Sequence, residues 1–232
     1  MWLEDTITIM IPEIHDINPK TWLKPFQKTS IFYLLKMGLF YQGLGLILMY
    51  LGTFFATSVI SGYEIPEFPV SISLALSSGL LEESVFFGIP YYMTGNPLIL
   101  LGAGIIWSTA HLFGTGVFSI ETLAYGGFLF TVPHIFFSIR VWISKKGWFA
   151  IVFHSLWNFT FLILFCMLGL RQCSVINDMF DILNVIIAIS TGVVVYLAYQ
   201  SKKKHINSFL YLIPIVVILF AIIISFLNDV IF

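Results

Sequence analysis

The sequence predicts an all-α protein, a polytopic membrane helical bundle of about seven transmembrane helices. Three observations lead there: the composition, the layout of the apolar runs and the distribution of positive charge. The chain has 232 residues, 59% hydrophobic and 10% charged, with a mean hydropathy of +0.96. Soluble domains carry about 25% charged residues. A core of this size cannot hide so much apolar surface, so lipid must act as part of the solvent. The net charge of −1 argues against a nucleic-acid partner. Cys166 and Cys173 make no disulfide framework.

Residues 1–30 mix polar and apolar positions and contain Pro12, Pro19 and Pro25. They are expected to form a partly helical segment on the membrane surface. From Met1 to Pro19 this segment is acidic and carries no lysine or arginine, unlike the basic start of a cleaved signal peptide. Residues 31–232 are expected to be the transmembrane domain. Apolar runs fall near 32–60, 71–93, 97–119, 122–143, 148–170, 179–200 and 206–228, each close to the roughly 20 residues a spanning helix needs. The first is long enough to tilt, and Pro133 and His134 interrupt the fourth.

With seven spans, Lys20, Lys24, Lys28, Lys36, Arg140, Lys145, Lys146, Lys202, Lys203 and Lys204 fall on one side and only Arg171 on the other. The positive-inside rule then places the N-terminus in the cytoplasm. Small residues precede the polar positions: Ser73, Ser77, Ser78 and Gly79 before Glu82, and Gly102, Ala103 and Gly104 before His111. Small side chains let helices approach closely in lipid. Ser78 shares a face with Glu82 and serves either helix packing or a hydrogen bond to the carboxylate.

The chemistry concentrates in Leu80-Leu81-Glu82-Glu83-Ser84-Val85-Phe86-Phe87-Gly88-Ile89-Pro90. An ionised carboxylate at the bilayer centre costs about 2.5–3.5 kcal/mol on insertion scales, so two of them require partners. Neighbours on a helix point about 100° apart, which divides the pair into one carboxylate for chemistry and one for structure; the plainer alternative makes both buried packing groups. Candidate partners are His111, one turn after Trp107, and the pair His154 and Asn158, four residues apart on one face with β-carbons roughly 6 Å apart. Two such donors can bind an oxyanion or simply join two helices. His134 reads as a satisfied or pore-lining histidine. A carboxylate in a low-dielectric cavity works as a general base near neutral pH, and an adjacent imidazole can relay the proton. Two histidines and a glutamate are also a common catalytic zinc set, but no HExxH spacing is present, so no metal or other cofactor is expected.

In order, Glu82-Glu83, Trp107-xxx-His111 and His154-xxx-Asn158 resemble the motifs EExxxR, FxxxH and Hxxx(N/B) of the CPBP family. These are the CAAX-protease and bacteriocin-processing intramembrane glutamic endopeptidases, also called the Abi family. Residues 72–165 carry the resemblance, about 40% of the chain, with Gly126-Gly127-Phe128 and the segment Trp148–His154 at similar positions. The resemblance implies Glu82 as the base that activates water with help from His111. It implies an oxyanion hole of His154 and Asn158, and Glu83 as the orienting carboxylate. The implied reaction is peptide-bond hydrolysis within the membrane without a metal, on a protein or peptide substrate that is lipidated in some relatives. Phe87 stands where the motif has arginine, and Trp107 where it has phenylalanine. Glu83 is therefore expected to be protonated or bonded elsewhere. The departure also keeps open a non-catalytic member of the fold that acts by binding a partner, as bacteriocin immunity proteins do. Counted at about 1.5 Å per residue, Glu82 falls near mid-membrane, His111 towards the outside and His154 towards the cytoplasm, so uneven helices must bring them together.

Overall fold

The first long apolar run forms one unbroken helix. A computed structural model describes residues 14–59, 68–70, 72–111, 127–164 and 173–175, together with isolated positions beyond. The expected spans 179–200 and 206–228 lie outside the described residues, as does the end of the third run. The described elements are α1 (Ile14–Ile17), a single 3₁₀ turn (Pro19–Thr21), α2 (Ile31–Val59), α3 (Ile72–Glu82), a π-helical segment (Glu83–Gly88), α4 (Ile89–Thr94), α5 (Pro97–Ala110), α6 (Gly127–Ile143), α7 (Gly147–Asn158) and a second π segment (Phe159–Leu164). One short parallel strand pair, β1 (Phe68–Val70) with β2 (Cys173–Val175), supplements this all-helical architecture.

Helix α2 has 29 residues, including an 18-residue stretch with a mean hydropathy of 1.6, and is long and apolar enough to cross a membrane. Leu34, Met37, Tyr41, Gln42 and Gly45 form its buried face, which packs on α6. Phe32, Leu35, Leu39, Tyr50, Phe54 and Phe55 stay exposed.

The second run is helical from Ile72 to Thr94, with its middle widened into a π turn in which the Ile89 N–H bonds the Ser84 carbonyl. Pro90 explains the widening: it has no N–H to give, and its ring excludes a carbonyl four residues back. Gly95, at φ 64°, ends α4, and the Asn96 side chain accepts from the Leu98 N–H at 2.9 Å to start α5. Helix α6 continues through Pro133 and His134, the two residues that interrupt its apolar run. Near Pro133, Thr131 Oγ1 donates to the Phe128 carbonyl at 2.8 Å, and its hydroxyl is 2.5 Å from that of Ser108 on α5.

Helix α3 packs on α7, while α5 and α7 both pack on α6. Gly79 sets the closest of these approaches. A β-carbon there would lie 2.7 Å from the Ile151 carbonyl oxygen and nearer still to the Ser155 backbone nitrogen. Backbone atoms cannot swing aside, so this glycine lets the turn before Glu82 lie against the turn before His154.

The N-terminal segment is docked on the bundle by Asp16. The Asp16 carboxylate accepts from Arg140 Nη2 and from the Tyr33 hydroxyl, and its backbone carbonyl accepts from Arg140 Nη1. Arg140 Nε donates to the Lys24 carbonyl at 3.1 Å, and the guanidinium lies 4.1 Å over the Phe26 ring. Both charged side chains are fully buried. Arg140 is therefore an interior anchor, unlike the loop lysines with which its charge was counted. Burial alone would raise the Asp16 carboxyl, but the Tyr33 hydroxyl and the Arg140 charge outweigh it and hold the group below the usual carboxylate range.

A depressed folded-state value means that this anchor is fully present above about pH 4 and is lost as pH falls further. Amide exchange of residues 14–26 should accelerate selectively in acid, and Asp16→Asn should produce the same acceleration at neutral pH. Gly79→Val should cost about 1–3 kcal/mol of stability through overpacking, read as a lower midpoint of thermal unfolding in detergent. Gly102→Ala, where a β-carbon meets nothing within 4 Å, should leave the midpoint unchanged or raise it.

Candidate functional site

Glu83 opens the π segment and is completely buried, held by donors from two other helices. From α6, His134 Nε2 lies 2.7 Å from Glu83 Oε1, the Ser138 hydroxyl donates to the same oxygen at 2.6 Å, and Trp142 Nε1 donates to Oε2 at 3.0 Å. From α7, His154 Nδ1 reaches Oε1 at 3.3 Å. The α6 residues recur every four positions, which places them on one stripe of that helix. Behind His134, the Gln42 amide of α2 lies 2.6 Å from Nδ1. With Gln42 Nε2 donating to Nδ1, the proton of a neutral His134 ring sits on Nε2 and points at Glu83. The three α6 neighbours of the carboxylate are then all donors.

Phe87 is fully buried where the resembled motif has arginine. Its ring meets Trp107 edge-on at 6.0 Å. Among the described residues no lysine or arginine pairs with either glutamate, and their ion-pair partners are His134 and His154. The expectation that Glu83 bonds elsewhere is met, by the α6 stripe and His154.

Glu82 is different. Its side chain is 23% exposed, Trp107 Nε1 donates to its Oε2 at 2.7 Å, and His154 Nε2 stands 3.6 Å from the same oxygen. That last separation exceeds a hydrogen bond. His154 thus presents one ring nitrogen to each carboxylate. The division into one sealed glutamate and one accessible glutamate follows from helix geometry: the turn that buries Glu83 against α6 leaves Glu82 at the rim.

Trp107 gathers the remaining residues. Its ring lies 5.0 Å from that of His111, 5.3 Å from His134 and 5.8 Å from His154, centroid to centroid. His111, at the C-terminal cap of α5, hydrogen-bonds through Nδ1 to the Trp107 carbonyl at 3.0 Å. If that nitrogen carries the proton, Nε2 keeps a free lone pair. Asn158, expected beside His154 as a free donor, gives its Nδ2–H to Ser78 Oγ at 2.7 Å. Ser78 in turn donates to the Ala75 carbonyl at 3.2 Å, so it serves Asn158 and its own helix instead of the carboxylate. The structure therefore brings Glu82, Glu83 and His154 into direct register, attaches His111 through Trp107, and joins Asn158 to the Glu82 helix through Ser78.

His134 is a full member of this cluster, along with Gln42, Ser138 and Trp142, which the sequence reading left out. Their signal was present: His134, Ser138 and Trp142 make a four-residue polar repeat on an otherwise apolar run.

The sealed carboxylate and the rim carboxylate should respond differently to loss of charge. Glu83→Gln turns an acceptor-only group into one that opposes its donors with an amide N–H, and should cost about 3–5 kcal/mol, the scale for breaking a buried ionic network. Glu82→Gln should cost under about 1 kcal/mol, because the amide oxygen still accepts from Trp107. Thermal unfolding of both variants in the same detergent checks the contrast. Comparison of the chain with family models, characterised proteins and solved structures finds no significant match.

Proposed function

We propose that the protein is a multi-pass membrane peptidase that hydrolyses a peptide bond with water activated by Glu82. The observation that carries this reading is the asymmetry of the two glutamates: Glu83 is fixed by donors, while Glu82 stays partly open with His154 Nε2 at 3.6 Å. The two are not hydrogen-bonded to each other, and the exposed part of the Glu82 side chain can take a water. In this mechanism Glu82 takes a proton from water, and His111 assists the transfer through Nε2. The imidazole of His154 and the amide of Asn158 then stabilise the oxyanion once Asn158 leaves Ser78. Glu83 orients His154 throughout. The chemistry is general-base hydrolysis without a covalent intermediate. The motif order shared with the CPBP pattern supports the same assignment and suggests a peptide or protein substrate, lipidated or not.

The exposed apolar face of α2 and the remaining apolar runs support a lipid-embedded bundle of seven spans, and the lysine and arginine distribution supports a cytoplasmic N-terminus. Reporter fusions placed after residues 60, 145 and 203 test that topology. A second reading, a non-catalytic protein that binds a partner, is favoured by one observation: Phe87 makes an apolar contact where the motif has a cation.

Cleavage of membrane-reconstituted peptides, including prenylated C-terminal peptides, separates the two readings. Glu82→Gln, His111→Ala and Asn158→Ala should each abolish turnover while the purified proteins keep their helical content. Full activity in Glu82→Gln removes the base assignment. A cellular phenotype that survives Glu82→Gln but fails when the exposed α2 face is made polar establishes the binding reading instead.

A further inference from the structure

We propose that Glu83, His134 and His154 form a divalent transition-metal site, best suited to zinc. Glu83 Oε1, His134 Nε2 and His154 Nδ1 lie within 4.8 Å of one another, and all three residues are buried. One carboxylate and two imidazoles from separate elements are a donor set that suits zinc. Glu83 Oε1 already stands 2.7 Å from His134 Nε2 and 3.3 Å from His154 Nδ1. Zinc–ligand bonds of about 2.0–2.1 Å in tetrahedral array set ligand atoms about 3.3 Å apart, so the Glu83–His154 contact already fits and the Glu83–His134 contact must open by a little over half an ångström.

Each ligand also has an outer partner on its far side. Histidine ligands bind better when their second nitrogen is hydrogen-bonded, because the bond fixes the tautomer and the ring. His134 Nδ1 faces the Gln42 amide at 2.6 Å, and among the described residues the buried Gln42 Oε1 has no hydrogen-bond partner. Turning that amide by half a turn offers Oε1 to an Nδ1–H. His154 Nε2 faces Glu82 at 3.6 Å, and Glu83 Oε2 is held by Trp142. The Ser138 hydroxyl, 2.6 Å from Glu83 Oε1 and 3.1 Å from His134 Nε2, flanks the same position.

Charge points the same way. Two carboxylates sit in this apolar bundle with no lysine or arginine paired to either among the described residues. A divalent cation between Glu83 and the histidines, with Glu82 one imidazole away, makes the whole constellation neutral. Sequence spacing hides such a site because its ligands are spread over residues 83, 134 and 154 without an HExxH helix. The inference concerns the same residues as the peptidase reading but stands on its own, because ion binding is measured directly.

The test uses the full chain purified in detergent and stripped with chelator. Titration calorimetry with zinc chloride should show one ion per chain, and cobalt(II) should give the intense visible absorption of a four-coordinate ion. His134→Ala should abolish both signals. Gln42→Leu, which keeps the ligands and removes an outer partner, should weaken zinc binding about 10- to 100-fold, and it decides the matter if His134→Ala does not fold. His111→Ala should bind as the parent does. Absence of a stoichiometric ion, or binding unchanged in Gln42→Leu and in any folded His134→Ala protein, overturns the proposal. Cleavage that persists in chelator with no ion bound removes the metal and leaves the peptidase. An ion bound through these ligands without cleavage of any peptide leaves the metal site and removes the peptidase.

Discussion

A single buried carboxylate determines how the described helices fit together. Glu83 receives hydrogen bonds from the α6 stripe and from His154 on α7, and through His134 it is connected to Gln42 on α2. An unpaired charge in an apolar interior costs several kcal/mol, so its partners must all be in place together. Small residues then let the backbones come close enough for that. Gly79 admits α7 against α3, and Gly38 admits the Phe153 ring against α2. Polar satisfaction and close packing are thus two requirements of one arrangement.

The π turn between Glu82 and Pro90 connects local backbone chemistry to that arrangement. A regular helix would set the adjacent glutamates on diverging faces with no preference between them. Packing against α6 and α7 seats Glu83 in the interior and leaves Glu82 at the edge beside Trp107 and His154. The contrast in exposure between the two carboxylates arises from this geometry. It underlies both the water-activating role proposed for Glu82 and the ion-holding role proposed for Glu83.

At the other end of α6, Arg140 plays a comparable part for the N-terminal segment. It binds both the carboxylate and the backbone of Asp16 while its face lies on Phe26. The same helix thereby carries the anchor for residues 14–26 near its C-terminal end and most of the donors for Glu83 along its length. Movement of the N-terminal segment would act on α6 directly.

The sequence by itself determined the helical class, because apolar runs of this length can satisfy their backbone groups in lipid only within helices. It also identified Glu82, Glu83, His111, His154 and Asn158, since polar residues stand out against so apolar a background. Tertiary structure decided which of them touch. Glu82 and Glu83 differ by one residue in sequence, and only packing against α6 distinguishes the sealed one from the open one. Asn158 faces His154 by helical period, yet its hydrogen bond goes to Ser78 on a different helix. His134 is the satisfied histidine the sequence suggested, but its partner Glu83 lies 51 residues away, and Arg140, counted among the positive charges, finds Asp16 at 124 residues. Periodicity reports which face a residue occupies, whereas partners across helices depend on how those faces meet.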